Sequence, residues 1–205
     1  MSQLLDLSNA SLLTLVEHSL AAVPPDVEWA TLAYDELSRR RARRAINQTN
    51  GIFAQAGIKP IPWLDAATKS LGLLEAPAPG VYQGHLYVVL ISGFTEQNQF
   101  YGAYVGASRY KPETRFQQHK VGLRASGLVR NRGIQVLKSL CWPNEQTVPG
   151  GRNIVLWESA LNRCLALVIP KVRGDCVPMA EWGDEFQRPL RSIYEILEQV
   201  TTGAS

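Results

Sequence analysis

The sequence of 205 residues has no apolar run of membrane length, no Cys-x-x-Cys pair and no surplus of glycine or proline, and each absence closes off a class of protein. The stretch from Ala76 to Thr95 lacks Asp, Glu, Lys and Arg, but only Leu86 to Ile91 is continuously apolar; Pro77, Pro79, Gly80, Gln83, Gly84 and His85 interrupt the rest. Six continuous apolar residues make a strand, whereas a membrane helix needs about 20. Cysteine is scarce. Cys141, Cys164 and Cys176 are odd in number and separated by 22 and 11 intervening residues, which fits neither a disulfide framework nor a zinc knuckle, so they read as reduced, mostly buried thiols. His18, His85 and His119 are too scattered for a multi-histidine metal site. Gly-x-Ser-x-Gly, Gly-x-Gly-x-x-Gly, His-Glu-x-x-His and a phosphate loop ending in Gly-Lys-Ser/Thr are all missing, which removes several enzyme classes. Residues 1–10 lack a basic segment and carry Asp6, so they do not resemble a secretory signal, and a cytoplasmic protein is expected.

What the sequence does contain is ordinary in total and uneven in distribution. With 45% hydrophobic residues, 16 glycines and 12 prolines it can build a core, and collagen-like and disordered classes are excluded. The formal charge of +3 conceals a segregation: residues 1–75 carry 7 basic and 8 acidic side chains, residues 101–173 carry 12 and 3, and residues 174–205 carry 2 and 6. A block of net +9 in a nearly balanced chain is the footprint of a surface that meets phosphates. A solvated basic face is the plainer alternative.

Hydrophobic spacing predicts a first helix capped by Ser8 or Ser11, with Leu12, Leu13, Leu15, Val16 and Leu20 at helical intervals and Pro24-Pro25 as the stop. A second is expected from about Val27 to about Asn50, ended by Gly51, with Ala30, Ala33 and Leu37 inward and Arg39, Arg40, Arg41, Arg43 and Arg44 forming a cluster that could track a nucleic-acid backbone. A short helix, Asp65 to Leu74, precedes the break Ala76-Pro77-Ala78-Pro79-Gly80, which divides a helical extension, residues 1–75, from a mixed domain, residues 76–205. Beyond it lie a buried strand at Leu86–Ile91, an antiparallel partner at Tyr101–Gly106, a helix opened by Pro112 and closed at Gly122, and a third strand around Ile134–Trp142. A long helix starts near Asn153–Val155 with Trp157, Leu161, Cys164, Leu165 and Val168 inward, and a last one follows from about Pro189. The fold class is therefore expected to be α+β, a small antiparallel three-stranded sheet flanked by helices.

Within the basic block, Arg115 and His119 sit four residues apart on one helix face, and Glu158 lies beside an apolar stripe where a lone carboxylate is costly. Together with Leu86-Tyr87-Val88 and Tyr104-Val105-Gly106, this order of residues resembles the GIY-YIG nuclease superfamily. The likeness spans about residues 80–175. Leu86-Tyr87-Val88 stands where the family has Gly-Ile-Tyr; Gly80-Val81-Tyr82 is closer by letter, but Tyr82 is followed by Gln83-Gly84-His85 rather than by apolar strand. Pro170 and Lys171 stand near the place of a late family Asn, for which Asn162 and Asn153 are possible substitutes.

The resemblance implies a metal-dependent endonuclease that hydrolyses phosphodiester bonds in DNA, of restriction, repair or mobile-element type. Glu158 would hold one Mg²⁺ or Mn²⁺, Arg115 would clamp the phosphate, and Tyr87 would orient or deprotonate the water with support from Tyr104 and His119. Arg109, Lys111, Lys120, Arg124, Arg130 and Arg132 would contact DNA, and a duplex target would suit a homodimer. The competing expectation is a nucleic-acid-binding module of the same fold without turnover. A third alternative places the function in residues 1–75, as a partner-binding segment.

Overall fold

The computed structural model describes residues 2–72, 74, 83–142, 148–149 and 152–178. Two compact units divide at Asp65/Ala66. The first is helical: α1 (Ser2–Leu5), α2 (Asn9–Ala21), α3 (Val27–Arg39) and α4 (Arg43–Ala56), with α5 (Leu64–Leu71) running across the division. Ser8 caps α2 by accepting the Ser11 N–H at 3.1 Å, satisfying an amide that the first turn leaves without a partner. Leu12, Val16 and Leu20 are buried as the spacing requires, and so are Ala30, Ala33 and Leu37 on α3.

The single long helix expected from Val27 is two helices. Arg41 takes φ 55°, which breaks the α3–α4 ladder, and α4 runs through Gly51 to end at Gly57, φ 65°. Beside the break, the Arg40 guanidinium donates to Glu36 Oε1 at 2.7 Å and to the carbonyls of Leu4 at 3.0 Å and Leu5 at 2.9 Å. It thereby meets the carbonyls that the end of α1 leaves open. Arg39 also pairs with Glu36. Two of the five arginines thus serve this unit's own packing.

In the second unit the strands are β1 (Gln83–Ile91), β2 (Gly102–Ser108), β3 (Gly133–Val136), β4 (Val148–Pro149) and β5 (Val172–Arg173). The helices are α6 (Pro112–Lys120), α7 (Gly127–Arg132) and α8 (Arg152–Ala166). Leu86 to Ile91 are each at most 1% exposed, and a fully buried aliphatic side chain contributes about 1.5–3 kcal/mol, which makes β1 the axis of this unit. It pairs antiparallel with β2, Tyr87 opposite Gly106 and Val89 opposite Tyr104, and antiparallel with β3 on its other edge.

The sheet is not the antiparallel three-stranded one expected. Its order is β3-β1-β2-β5, and β5 runs parallel to β2, with Ala103 opposite Val172 and Tyr104 opposite Arg173, while β4 pairs the start of β1. The α+β class stands; the all-antiparallel sheet does not. A parallel pair needs a long crossover, here supplied by α8, and a strand of two residues has no alternation to read. The third strand is also shorter than expected, ending at Val136 before a 3₁₀ turn at Lys138–Leu140. The expected helix from Pro189 and the Gly80-Val81-Tyr82 alternative lie outside the described residues. Cys141 and Cys164 are buried free thiols, and Cys176 is exposed. Among the described residues, no helix is long and apolar enough to cross a membrane.

Candidate active site

Alternation along β1 sends Tyr87, Val89 and Ile91 to one face, where they join Phe116, Val129, Val136 and Cys141 in a single apolar cluster. Tyr104, opposite Val89, lies diagonal to Tyr87, and the two ring centroids are 6.4 Å apart. Gly106 makes this possible: a Cβ there would stand 2.5 Å from both Cζ and Oη of Tyr87. The glycine of the Tyr-Val-Gly motif is therefore the space that the Tyr87 phenol occupies.

Helix α6 begins with Pro112 at its first turn and lays Phe116 and His119 inward. His119 Nε2 is 2.9 Å from Tyr87 Oη, and each residue is 1% exposed. Arg115, one turn earlier, donates to Gln118 Oε1 at 3.1 Å, to the Leu123 carbonyl at 3.3 Å and to the Arg124 carbonyl at 2.7 Å. It also reaches the Tyr87 hydroxyl. The turn that Arg115 gathers leads to Ser126, the residue before α7, whose N–H donates to His119 Nδ1 at 3.0 Å.

Glu158 comes from α8 and is 7% exposed. The backbone N–H of Asp175 donates to it, and the Asp175 carboxylate stands near enough to repel it. The segment carrying Asp175 is pinned to α8 by a 2.8 Å bond from the Val177 N–H to Ser159 Oγ. Asn162, one turn beyond Glu158, faces Gly174. The Asn153 side chain lies outside the described residues.

Burial sets the electrostatics. It pushes the Tyr87 phenol above its ordinary value, reinforced by Tyr104 and Glu158 and opposed by the Arg115 guanidinium. Tyr104 rises for the same reason, with the charges of Glu158 and Asp175 adding to burial. Burial, then the charge of Arg115, lowers His119 to about 4, so its ring is neutral at pH 7. Burial and the Asp175 charge raise Glu158 to about 8. A carboxylate in that state favours either a proton or a cation.

Tyr87, Tyr104, Arg115, His119 and Glu158, separated by up to 71 positions in the sequence, thus influence one another directly. The expected DNA-contacting residues divide. Arg109 and Arg124 line a groove of about 440 Å³ beside Arg115, with Tyr110 and Leu123 on its walls. Lys111, Arg130 and Arg132 are exposed, whereas Lys120 Nζ donates to the carbonyls of Arg130 and Gly133 at 3.0 Å each and holds α7 to α6. Sequence reasoning missed Ser126 and Asp175. Both act partly through a backbone N–H, which no side-chain spacing reveals.

Among the described residues there is no group of three or more His, Cys, Asp and Glu side chains placed to hold a metal. The donor chemistry fits a hard divalent ion nonetheless, because Mg²⁺ retains waters and takes only one or two carboxylates. Glu158 would hold it, next to Asp175, and the ion would supply positive charge to a phosphate and acidify a bound water. Comparisons with protein-family models, curated proteins and solved structures gave no match.

Proposed function

We propose that this chain is a metal-dependent endonuclease that hydrolyses phosphodiester bonds in DNA, related to the GIY-YIG nucleases. The observation that carries this reading is the meeting of Tyr87, Tyr104, Arg115, His119 and Glu158, from four separate elements, around one buried hydroxyl. Phosphodiester hydrolysis needs a placed water, compensation of charge on the non-bridging oxygens and an exit for the leaving oxygen. Arg115, permanently protonated and planar, supplies the compensation. The Arg109–Arg124 groove receives the strand on either side of the scissile phosphate, and Tyr87 orients the water through its hydroxyl. Glu158 holds the divalent ion. The reading carries with it a cytoplasmic location, DNA as partner and a homodimer on duplex targets.

One observation favours a second reading, a DNA-binding module without turnover. Tyr87 and His119 are both 1% exposed, and burial holds the phenol well away from ionisation. Incubating supercoiled plasmid and single-stranded DNA with wild type, Glu158→Ala and Arg115→Ala in Mg²⁺, Mn²⁺ or EDTA separates the two. Nicking that requires metal and is lost in both variants supports the nuclease. Binding that weakens with salt, without cleavage in any metal, rejects it in favour of the module.

A further inference from the structure

Ser126 carries no motif, yet its backbone N–H bonds one of the clustered residues, His119. A backbone N–H can only donate, so the 3.0 Å bond from Ser126 N makes His119 Nδ1 an acceptor, which leaves no proton on that nitrogen. The proton of the neutral ring then sits on Nε2 and points at Tyr87 Oη, 2.9 Å away. Tyr87 receives a hydrogen bond from His119 rather than giving one, and its own proton is directed elsewhere. The ring of Tyr104 lies 6.0 Å from that of His119, edge-on to it. Ser126 is itself held in place: Arg115 grips the carbonyls of Leu123 and Arg124 just before it, and its own carbonyl accepts the Arg130 N–H at 3.0 Å as α7 begins.

We propose that Ser126 is a positioning residue of this site: its N–H fixes His119 with Nε2–H toward Tyr87. The consequence for the proposed hydrolysis, on which the kinetic part of this inference rests, is that His119 steadies the Tyr87 oxygen as a donor and does not take its proton. The turn at Leu123–Ser126 also borders the arginine groove, so Arg115 joins the groove to Tyr87 through Ser126 and His119.

Two measurements test this. The first needs no substrate: nitrogen-15 NMR of the full chain with labelled histidine and amide nitrogens. We expect His119 at pH 7 as the Nε2–H tautomer, with a scalar coupling across the N–H···N bond between the Ser126 amide and Nδ1. A proton on Nδ1, or no coupling, overturns the proposal. The second is kinetic. Ser126→Pro, which removes the N–H at a residue whose φ of -66° proline adopts, should abolish the coupling and lower kcat about tenfold with KM unchanged, whereas Ser126→Ala keeps the N–H and should preserve the coupling. An unchanged kcat in a folded Ser126→Pro overturns the positioning role. Should the NMR result hold while the wild type cleaves no DNA in any metal, Ser126 keeps its positioning role and the nuclease reading alone fails.

Discussion

Two arginines in this molecule, Arg40 in the first unit and Arg115 in the second, are hydrogen-bonded about equally well and compensated very differently. Arg40 faces a buried carboxylate, Glu36, and closes the end of α1 through backbone carbonyls. Arg115 is held by a glutamine side chain and two carbonyls, with no carboxylate among its hydrogen-bonding partners, and it imposes its charge on Tyr87 and His119. The lesson is that satisfied donors do not mean a neutralised charge. Arg40 belongs to folding, while Arg115 keeps a field that an anion can use.

The largest effect we expect follows from that difference. Arg115→Ala should lower DNA cleavage about 10²–10³-fold, as removal of a donor to a developing oxyanion does, at small cost in stability. Rate measurement beside urea unfolding would show both; a rate unchanged by the substitution removes Arg115 from the site. Arg40→Ala should do the reverse, costing about 3 kcal/mol in unfolding free energy because Glu36 loses a buried partner, with cleavage by the folded fraction retained.

Acid sharpens the contrast. The folded value of His119 is about 4 against about 6.5 when unfolded, so its contribution is fully present above pH 6.5 and is lost as pH falls through 4. Up to about 3 kcal/mol is involved, and unfolding measured at pH 7.5 and 4.5 should show a shallower loss in His119→Gln than in wild type. Gly106→Ala should cost about 1–3 kcal/mol, since its new methyl meets the Tyr87 phenol; an unchanged thermal midpoint would contradict the packing described. Smallest of all, neutralising Arg41, Arg43 and Arg44, which are exposed, should leave stability within about 0.5 kcal/mol and cleavage within a few-fold. A large loss of cleavage there would move the DNA surface into the first unit.

Legibility in the sequence followed how local each cause is. The strand at Leu86–Ile91 announces itself as an apolar run, and the Ser8 cap and the Arg115–His119 pair follow from helical spacing, whereas the room Gly106 leaves for the Tyr87 ring shows only in the folded sheet. The break at Arg41 did not announce itself, because neither glycine nor proline marks it: a non-glycine residue takes φ 55° and Ala42 opens α4 without a side-chain cap. Strand β5 depends on where α8 returns the chain, and Ser126 and Asp175 contribute amides that every residue but proline possesses. The five-arginine cluster was the more conspicuous basic signal, yet two of its members, Arg39 and Arg40, pair with Glu36 of their own unit.

The claim that the second unit keeps Glu158 for a cation is tested most directly by Mn²⁺ titration of the full chain followed by electron paramagnetic resonance. We expect one Mn²⁺ bound per chain at pH 8, with Mg²⁺ competing for it, and loss of that binding in Glu158→Gln. Binding that persists undiminished in Glu158→Gln, or no bound Mn²⁺ in the wild type, would contradict it.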